Sequence, residues 1–416
     1  MIKGHVDPNF SKVASLFEKL IPQRNPGGAA LCVYHCGKPV VDIWAGTKNK
    51  VGDAFDENTL ALSFSTTKGI ASTVLHILAD RGLIDYDAPI ATYWREFGQA
   101  GKHDITVRHL LCHESGMYDI HSLLDHSSQM HNWDTVIKKI EVSRPAHKPG
   151  VRNGYHGLTY GYLVGELIQR VTGKSFAQVL KEELADPLEL DGLFVGVPNE
   201  ELYRRADLIS HIIPEKTVSK ASKFNAAKSL NLKSIILKQV IAGAIRLTGA
   251  NPNDIRAGLL PKGMSTFDFN SVATAQSCMP SMNGMFTARS LAAVYSMLAN
   301  QGVANGHRFM SESTIRKAAT IQNIRRDSVV PIPMRWRLGY HRVFTTGPKT
   351  PHAFGHFGYG GSGAWCDPSR QLAVAMTVNS GLGTPFGDSR LARVNGVVIR
   401  AAEKLAHNKS TVLGYN

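Results

Sequence analysis

The chain has 416 residues, 43% of them apolar, and a formal net charge of +14. That length and apolar content suit a sizeable core, as two or three domains or one large two-lobed enzyme, and no stretch is long and apolar enough to cross a bilayer. The basic residues are spread along the chain with no arm, finger or basic-aromatic array, which argues for a basic enzyme and against a nucleic-acid binder.

The start, "MIKGHVDPNF", lacks the basic-then-apolar layout of a secretory signal, so a cytoplasmic location is expected. A mature form whose leader has been removed would read the same way. "FSKVASLFEKLI" has helical spacing, and "PGGAALCVYHCGKPVVDIWAG" reads as two strands turning at Gly37-Lys38. Five cysteines, an odd number, argue against a full disulfide framework. Cys32 and Cys36 fall on one face of the first strand with no second ligand pair at metal spacing, so both are expected as buried free thiols.

"LSFSTTKG" then leads into a helix running to about Asp80, with Gly82 just past its end. From there to about residue 300 the pattern is mostly helical, broken by Pro and Gly. Within it, 225–252 is basic and amphipathic, with Lys228, Lys233, Lys238 and Arg246 interrupting apolar runs. A lid packed over a cleft is the favoured reading of this insertion, ahead of a helix lying on a membrane surface. Strands return in "WRLGYHRVF", "FGHFGYGGSGAWCDP" and "LAVAMTVNS", and "SRLARVNGVVIRAAEKLAH" closes the chain as a helix.

Strands at both ends with helices between predict a multidomain α+β fold. Residues 1–83 and 303–416 would form a discontinuous sheet domain. Residues 84–302 would form a mostly helical domain with a lid-like insertion near 205–265. The helix after Ser65 would then begin where the two lobes meet, a usual place for a cleft.

Ser65 and Lys68 form the only Ser-x-x-Lys in the chain. At i and i+3 of a helix both side chains point to the same side. A serine hydroxyl is a weak nucleophile until a base takes its proton, and lysine serves only when neutral. At its ordinary pKa about one lysine in a thousand is neutral near pH 7.5; burial must lower that pKa by about three units, roughly 4 kcal/mol. The alternative is an ordinary helix start, with Ser65 or a neighbouring Thr as cap and Lys68 in solvent. Tyr155 lies in a short loop after Pro149-Gly150 and ahead of an amphipathic helix. Held near two ammonium groups, its phenol would titrate low enough to pass protons. The glycines around His356 would let a strand edge approach a substrate, and a backbone N–H there, with that of Ser65, would make an oxyanion hole. Gly-x-Ser-x-Gly, His-Glu-x-x-His, a P-loop and a dinucleotide fingerprint are all missing from the sequence, so neither metal nor cofactor is expected.

Ser65-x-x-Lys68, the Tyr155 loop and the late His-x-Gly strand resemble the serine β-lactamase and penicillin-binding-protein superfamily, and within it the family VIII carboxylesterases. "RHLLCHESGM", "NGYHGLTYGYLVGEL", "MPSMNGMFTARSLAAVYSMLANQG" and "FGHFGYGGSG" look like this branch in the same order, over about residues 25 to 400. The resemblance implies a β-lactamase/transpeptidase-like fold, an antiparallel sheet flanked by helices beside a mostly helical domain. It implies Ser65 as acylated nucleophile, Lys68 as base, Tyr155 sharing the proton work, and the Ser65 and Tyr359 amides as oxyanion donors. His356 stands where β-lactamases carry the lysine of Lys-Thr-Gly, with Gly358 closing the triplet. Gly157 stands where they carry the asparagine of Tyr-x-Asn. Both departures weaken the grip on a β-lactam and favour small esters. The expected activity is hydrolysis of short-chain carboxylic esters, with no nucleic-acid or membrane partner and a homo-oligomer left open. The alternatives are a β-lactamase, a D-amino-acid peptidase or acyltransferase of the same superfamily, and a non-catalytic binding relative.

Overall fold

The computed structural model describes residues 1–21, 26–209, 251–330, 332–381 and 388–413, with side chains to 407. Most of the basic insertion expected as a lid, 210–250, lies outside the described residues.

Seven strands make one antiparallel sheet: β1 (Lys3–Val6), β2 (Gly28–His35), β3 (Lys38–Gly46), β4 (His341–Arg342), β5 (Phe354–Phe357), β6 (Gly363–Asp367) and β7 (Leu372–Val378). Their order is β1-β3-β2-β7-β6-β5-β4, so β2 pairs with β7 across most of the chain's length. Strand β1 carried no sequence signal, and "WRLGYHRVF" contributes only the two residues of β4.

The alternation in "AALCV" and "LAVAM" decides how this sheet is covered. Successive side chains of a strand point to opposite faces. On one face Leu31, Val33, Val374 and Met376 pack with helices α1 (Ser11–Leu20) and α6 (Ser389–Leu413). On the other the residues are small: Ala30, Cys32, Ala373, Ala375, Ala364 and Cys366. Those short side chains let α5 (Ala288–Ala299) lie across β2, β6 and β7. Cys32 is therefore a buried thiol, as expected, but Cys36 is exposed. The hairpin turns at Cys36-Gly37, both left-handed at φ 51° and 73°, one residue earlier than the sequence suggested.

Helix α2 (Thr66–Asp80) is buried on nearly every side, from Thr66 to Leu78. It packs between strand β5 and α3 (Thr159–Thr172), which places its first turn at the junction of sheet and helices.

Candidate active site

The chain enters α2 through a pinned turn. Ala61–Leu62 pairs with Met285–Phe286, the Ser63 amide donates to Gly284 O at 2.9 Å, and the Gly284 amide donates to Thr67 Oγ1 at 3.0 Å. Phe64, just before the serine, is left-handed at φ 45°, a strained conformation for a bulky residue. The Ser65 side chain makes no capping bond. The helix-cap alternative is therefore not used, and the hydroxyl is left for other partners.

Those partners are Lys68 and Tyr155. Lys68 Nζ lies 3.1 Å from Ser65 Oγ, and it donates to Gly157 O at 2.7 Å and Ser281 O at 2.9 Å. The lysine is fully buried, and burial pushes its ammonium well below the ordinary lysine range. The Tyr155 hydroxyl donates to Ser65 Oγ at 2.8 Å, and its ring passes 5.0 Å from the Lys68 nitrogen. Among the described residues one lysine nitrogen thus approaches this phenol, where two ammonium groups were expected. Burial holds the phenol well above its ordinary value of 10.0, so it is a neutral donor and not a low-titrating phenolate.

The four amides from Gly154 to Gly157 are bonded. Gly154 N donates to His113 O at 2.9 Å, Tyr155 N to Asp327 Oδ1 at 3.0 Å, His156 N to His113 Nδ1 at 3.1 Å and Gly157 N to Tyr155 O at 2.9 Å. His113 and His156 are buried and pack against this loop, and His113 meets the Tyr155 ring at 4.8 Å. Burial lowers the His156 pKa to about 3.

His356 comes from β5, which runs along α2. Gly358 closes that approach, because a Cβ there would sit 2.2 Å from Ser63 O. The His356 ring is buried, its Nδ1 lies 3.1 Å from Phe357 O, and its Nε2 has no partner among the described residues. A carbonyl only accepts, so Nδ1 carries the proton and Nε2 the lone pair. Burial, the neighbouring His341 and Lys68 all push this imidazole well below 6.5, so it is neutral. His341 accepts the Phe357 amide at 3.0 Å, and burial brings its own pKa to about 4.

Gly157 is covered by α4 (Pro252–Leu259): a Cβ on it would lie 2.5 Å from Gly258 O and from Leu259. The end of the insertion thus occupies the space that an asparagine side chain would need.

Ser65, Tyr155, Gly157, His356, Gly358 and Tyr359 all line one cavity of about 810 Å³. Tyr359 is exposed at its mouth, with its ring edge-on to Phe64 at 5.4 Å. Most of the remaining wall is apolar, including Leu259, Met264, Phe269, Met334 and Phe344. Among the described lining residues the one carboxyl side chain is Asp388, which is paired with Arg390 at 2.6 Å. No lysine or arginine lines the cavity among the described residues.

Sequence reasoning missed Asp327 and Trp336, which hold Tyr155 from behind, and the Ser281 carbonyl on Lys68. Trp336 lies within the stretch read as a strand, and nothing in its spacing signalled a partner for Tyr155. Groups of His, Cys, Asp or Glu able to hold a metal ion are not found among the described residues.

A serine on the first turn of a buried helix, a buried lysine one turn on and a phenol from a helical-side loop, set beside an antiparallel sheet, define a β-lactamase/transpeptidase-like hydrolase fold. The chain belongs to the Beta-lactamase family, whose profile matches residues 13–398. It is 35% identical over 384 residues to the esterase/beta-lactamase LipL of Mycobacterium tuberculosis (strain ATCC 25618 / H37Rv), covering 90% of this chain and 82% of that one. Its fold is similar to a crystal structure of a family VIII carboxylesterase, with TM-score 0.80, 30% identity and coverage of 97% and 99% of the two chains. It is similar also to a penicillin-binding protein homolog from Caulobacter crescentus, with TM-score 0.81, 28% identity and coverage of 96% and 100%.

Proposed function

We propose that this protein hydrolyses small, uncharged carboxylic esters through an acyl-enzyme on Ser65. The observation that carries the reading is the convergence of Lys68 and Tyr155 on one serine oxygen, at 3.1 and 2.8 Å. Lys68 takes the Ser65 proton as the oxygen attacks the ester carbonyl. Tyr155 gives its proton to the departing alkoxide and regains one from Lys68. Water then attacks the acyl group by the reverse sequence, restoring Ser65 and releasing the acid. The Ser65 and Tyr359 amides receive the negative charge on the carbonyl oxygen.

The apolar wall supports an ester substrate, because its described residues offer a carboxylate no cationic anchor. LipL and the carboxylesterase structure carry esterase names, which agrees with this reading. The beta-lactamase half of LipL's name supports a second, slower activity on β-lactams. The sheet strands, all within 3–46 and 341–378, support a discontinuous sheet domain of 1–83 with 303–416.

The test is covalent labelling. A short-chain p-nitrophenyl phosphonate should leave one mass adduct on Ser65, and Ser65→Ala should keep its melting transition while losing both label and ester turnover. An unlabelled Ser65 in folded protein defeats the enzyme reading.

A further inference from the structure

Asp327 is a buried carboxylate, 3% exposed, that no cation contacts among the described hydrogen bonds and ion pairs. Its Oδ1 accepts the amides of Tyr155 (3.0 Å), Val329 (2.8 Å) and Val330 (3.0 Å), and its Oδ2 accepts the Trp336 indole N–H at 3.1 Å. A buried carboxylate without a cation is costly unless such donors satisfy it. The Trp336 ring in turn lies flat on the Tyr155 ring, with centroids 5.5 Å apart and planes 7° apart. One carboxylate therefore grips Tyr155 twice, by its backbone and through the ring stacked on it.

We propose that Asp327 is the positioning residue of Tyr155, fixing the phenol on the Ser65 oxygen through the Tyr155 amide and through Trp336. This rests on the reading of Tyr155 as the proton-transfer group. The chemistry of the site calls for a carboxylate and not its amide. Four N–H donors converge on two oxygens, and a carboxylate accepts at both without offering a donor of its own. Asparagine keeps one accepting oxygen for the three amides and sets an N–H₂ against the indole N–H, which frees the stacked ring. The negative charge also disfavours a phenolate at Tyr155, adding to burial in keeping the proton on the group that must donate it.

The experiment is a double-mutant cycle on the full chain, with kcat and KM for a short-chain p-nitrophenyl ester and competent sites counted by phosphonate titration. Asp327→Asn should lower kcat by about 10- to 100-fold with KM changed less than about threefold, the loss expected when a reacting group is displaced by about an ångström. In a Tyr155→Phe background the same substitution should cost less than about threefold, because the group it positions is already gone. Equal losses in both backgrounds, or a change confined to KM, overturn the proposal. If Asp327→Asn yields few competent sites, Trp336→Phe decides. It keeps a ring but removes the N–H, so it should lower kcat with the same non-additivity, and an unchanged kcat overturns the clamp. Wild-type kcat in Tyr155→Phe alone overturns the role of Tyr155 and the clamp with it. Additive losses leave Tyr155 standing and remove only Asp327.

Discussion

Lys68 Nζ and Ser65 Oγ lie 3.1 Å apart on one turn of α2, and the other two contacts of that nitrogen are the Gly157 and Ser281 carbonyl oxygens. An uncharged amine has two N–H bonds and one lone pair. The carbonyls only accept, so they take the two N–H bonds and leave the lone pair facing the serine hydroxyl. Tyr155, donating to the same serine oxygen, leaves the Ser65 proton pointing to that lone pair. Every proton in the cluster has a place when the lysine is neutral.

Lys68→Ala should lower kcat/KM for a short-chain ester by about three orders of magnitude or more. Lys68→Arg should do no better, because a guanidinium stays protonated. Steady-state kinetics on folded variants check this, and near-wild-type turnover in either one would show that the base is another group.

Activity should fall as pH drops from neutral, since protonating Lys68 removes the base. Above pH 7 the rate should hold past the ordinary tyrosine value, because burial keeps the Tyr155 phenol protonated. Stability should follow the same acid limb. Histidines held below their ordinary pKa are neutral in the folded chain but charged when it unfolds, so the unfolded state binds more protons and stability rises with pH. For His341 the window runs from 6.5 down to about 4, and the loss across it is about 3 kcal/mol. His156 extends it to about 3. Melting temperatures and initial rates between pH 4 and 10 check both, and a flat melting temperature from 7 to 4 would contradict the burial of neutral imidazoles.

An uncharged ester should be turned over much faster than a cephalosporin, by about 10² or more in kcat/KM, from one missing charge-assisted contact at about 2 kcal/mol and one missing neutral contact at about 1 kcal/mol. His356 is neutral where a cation would hold the β-lactam carboxylate, and no lysine or arginine is among the described residues of the wall. Parallel assays with a p-nitrophenyl ester and a chromogenic cephalosporin check this; comparable kcat/KM values would mean that another residue anchors the carboxylate.

Gly157→Asn should not create a β-lactamase. Its Cβ would meet Gly258 O and Leu259 at 2.5 Å, so α4 must move, and the Gly157 carbonyl that holds Lys68 moves with it. A stability loss of about 1–3 kcal/mol is expected from the overpacking, together with lower ester turnover. Thermal melting and kinetics decide, and a gain in cephalosporin hydrolysis without loss of stability would show that α4 yields freely.

Much of this was legible in the residues. "LAVAMTVNS" was read as a strand, and the apolar pattern after Thr66 as a helix running to about Asp80. The Cys36 turn was misplaced by one residue because Gly37 can serve at either turn position, and only the His35–Lys38 pairing fixes which. The expected low pKa of Tyr155 failed for a related reason: the sequence supplies many cations, but only packing decides which of them reach the phenol.

The Ser65–Lys68 pair was fixed by sequence alone, since one helical turn sets both side chains on one side whatever surrounds them. Everything that makes the pair reactive comes from far along the chain. The Tyr155 hydroxyl is 90 residues from Ser65, the Gly157 and Ser281 carbonyls are 89 and 213 from Lys68, and Asp327 is 172 from Tyr155. Helical and strand periodicity reach only neighbours a few residues away. Contacts at those separations, and the burial that lowers the lysine pKa, exist only once the sheet and helices have closed around them.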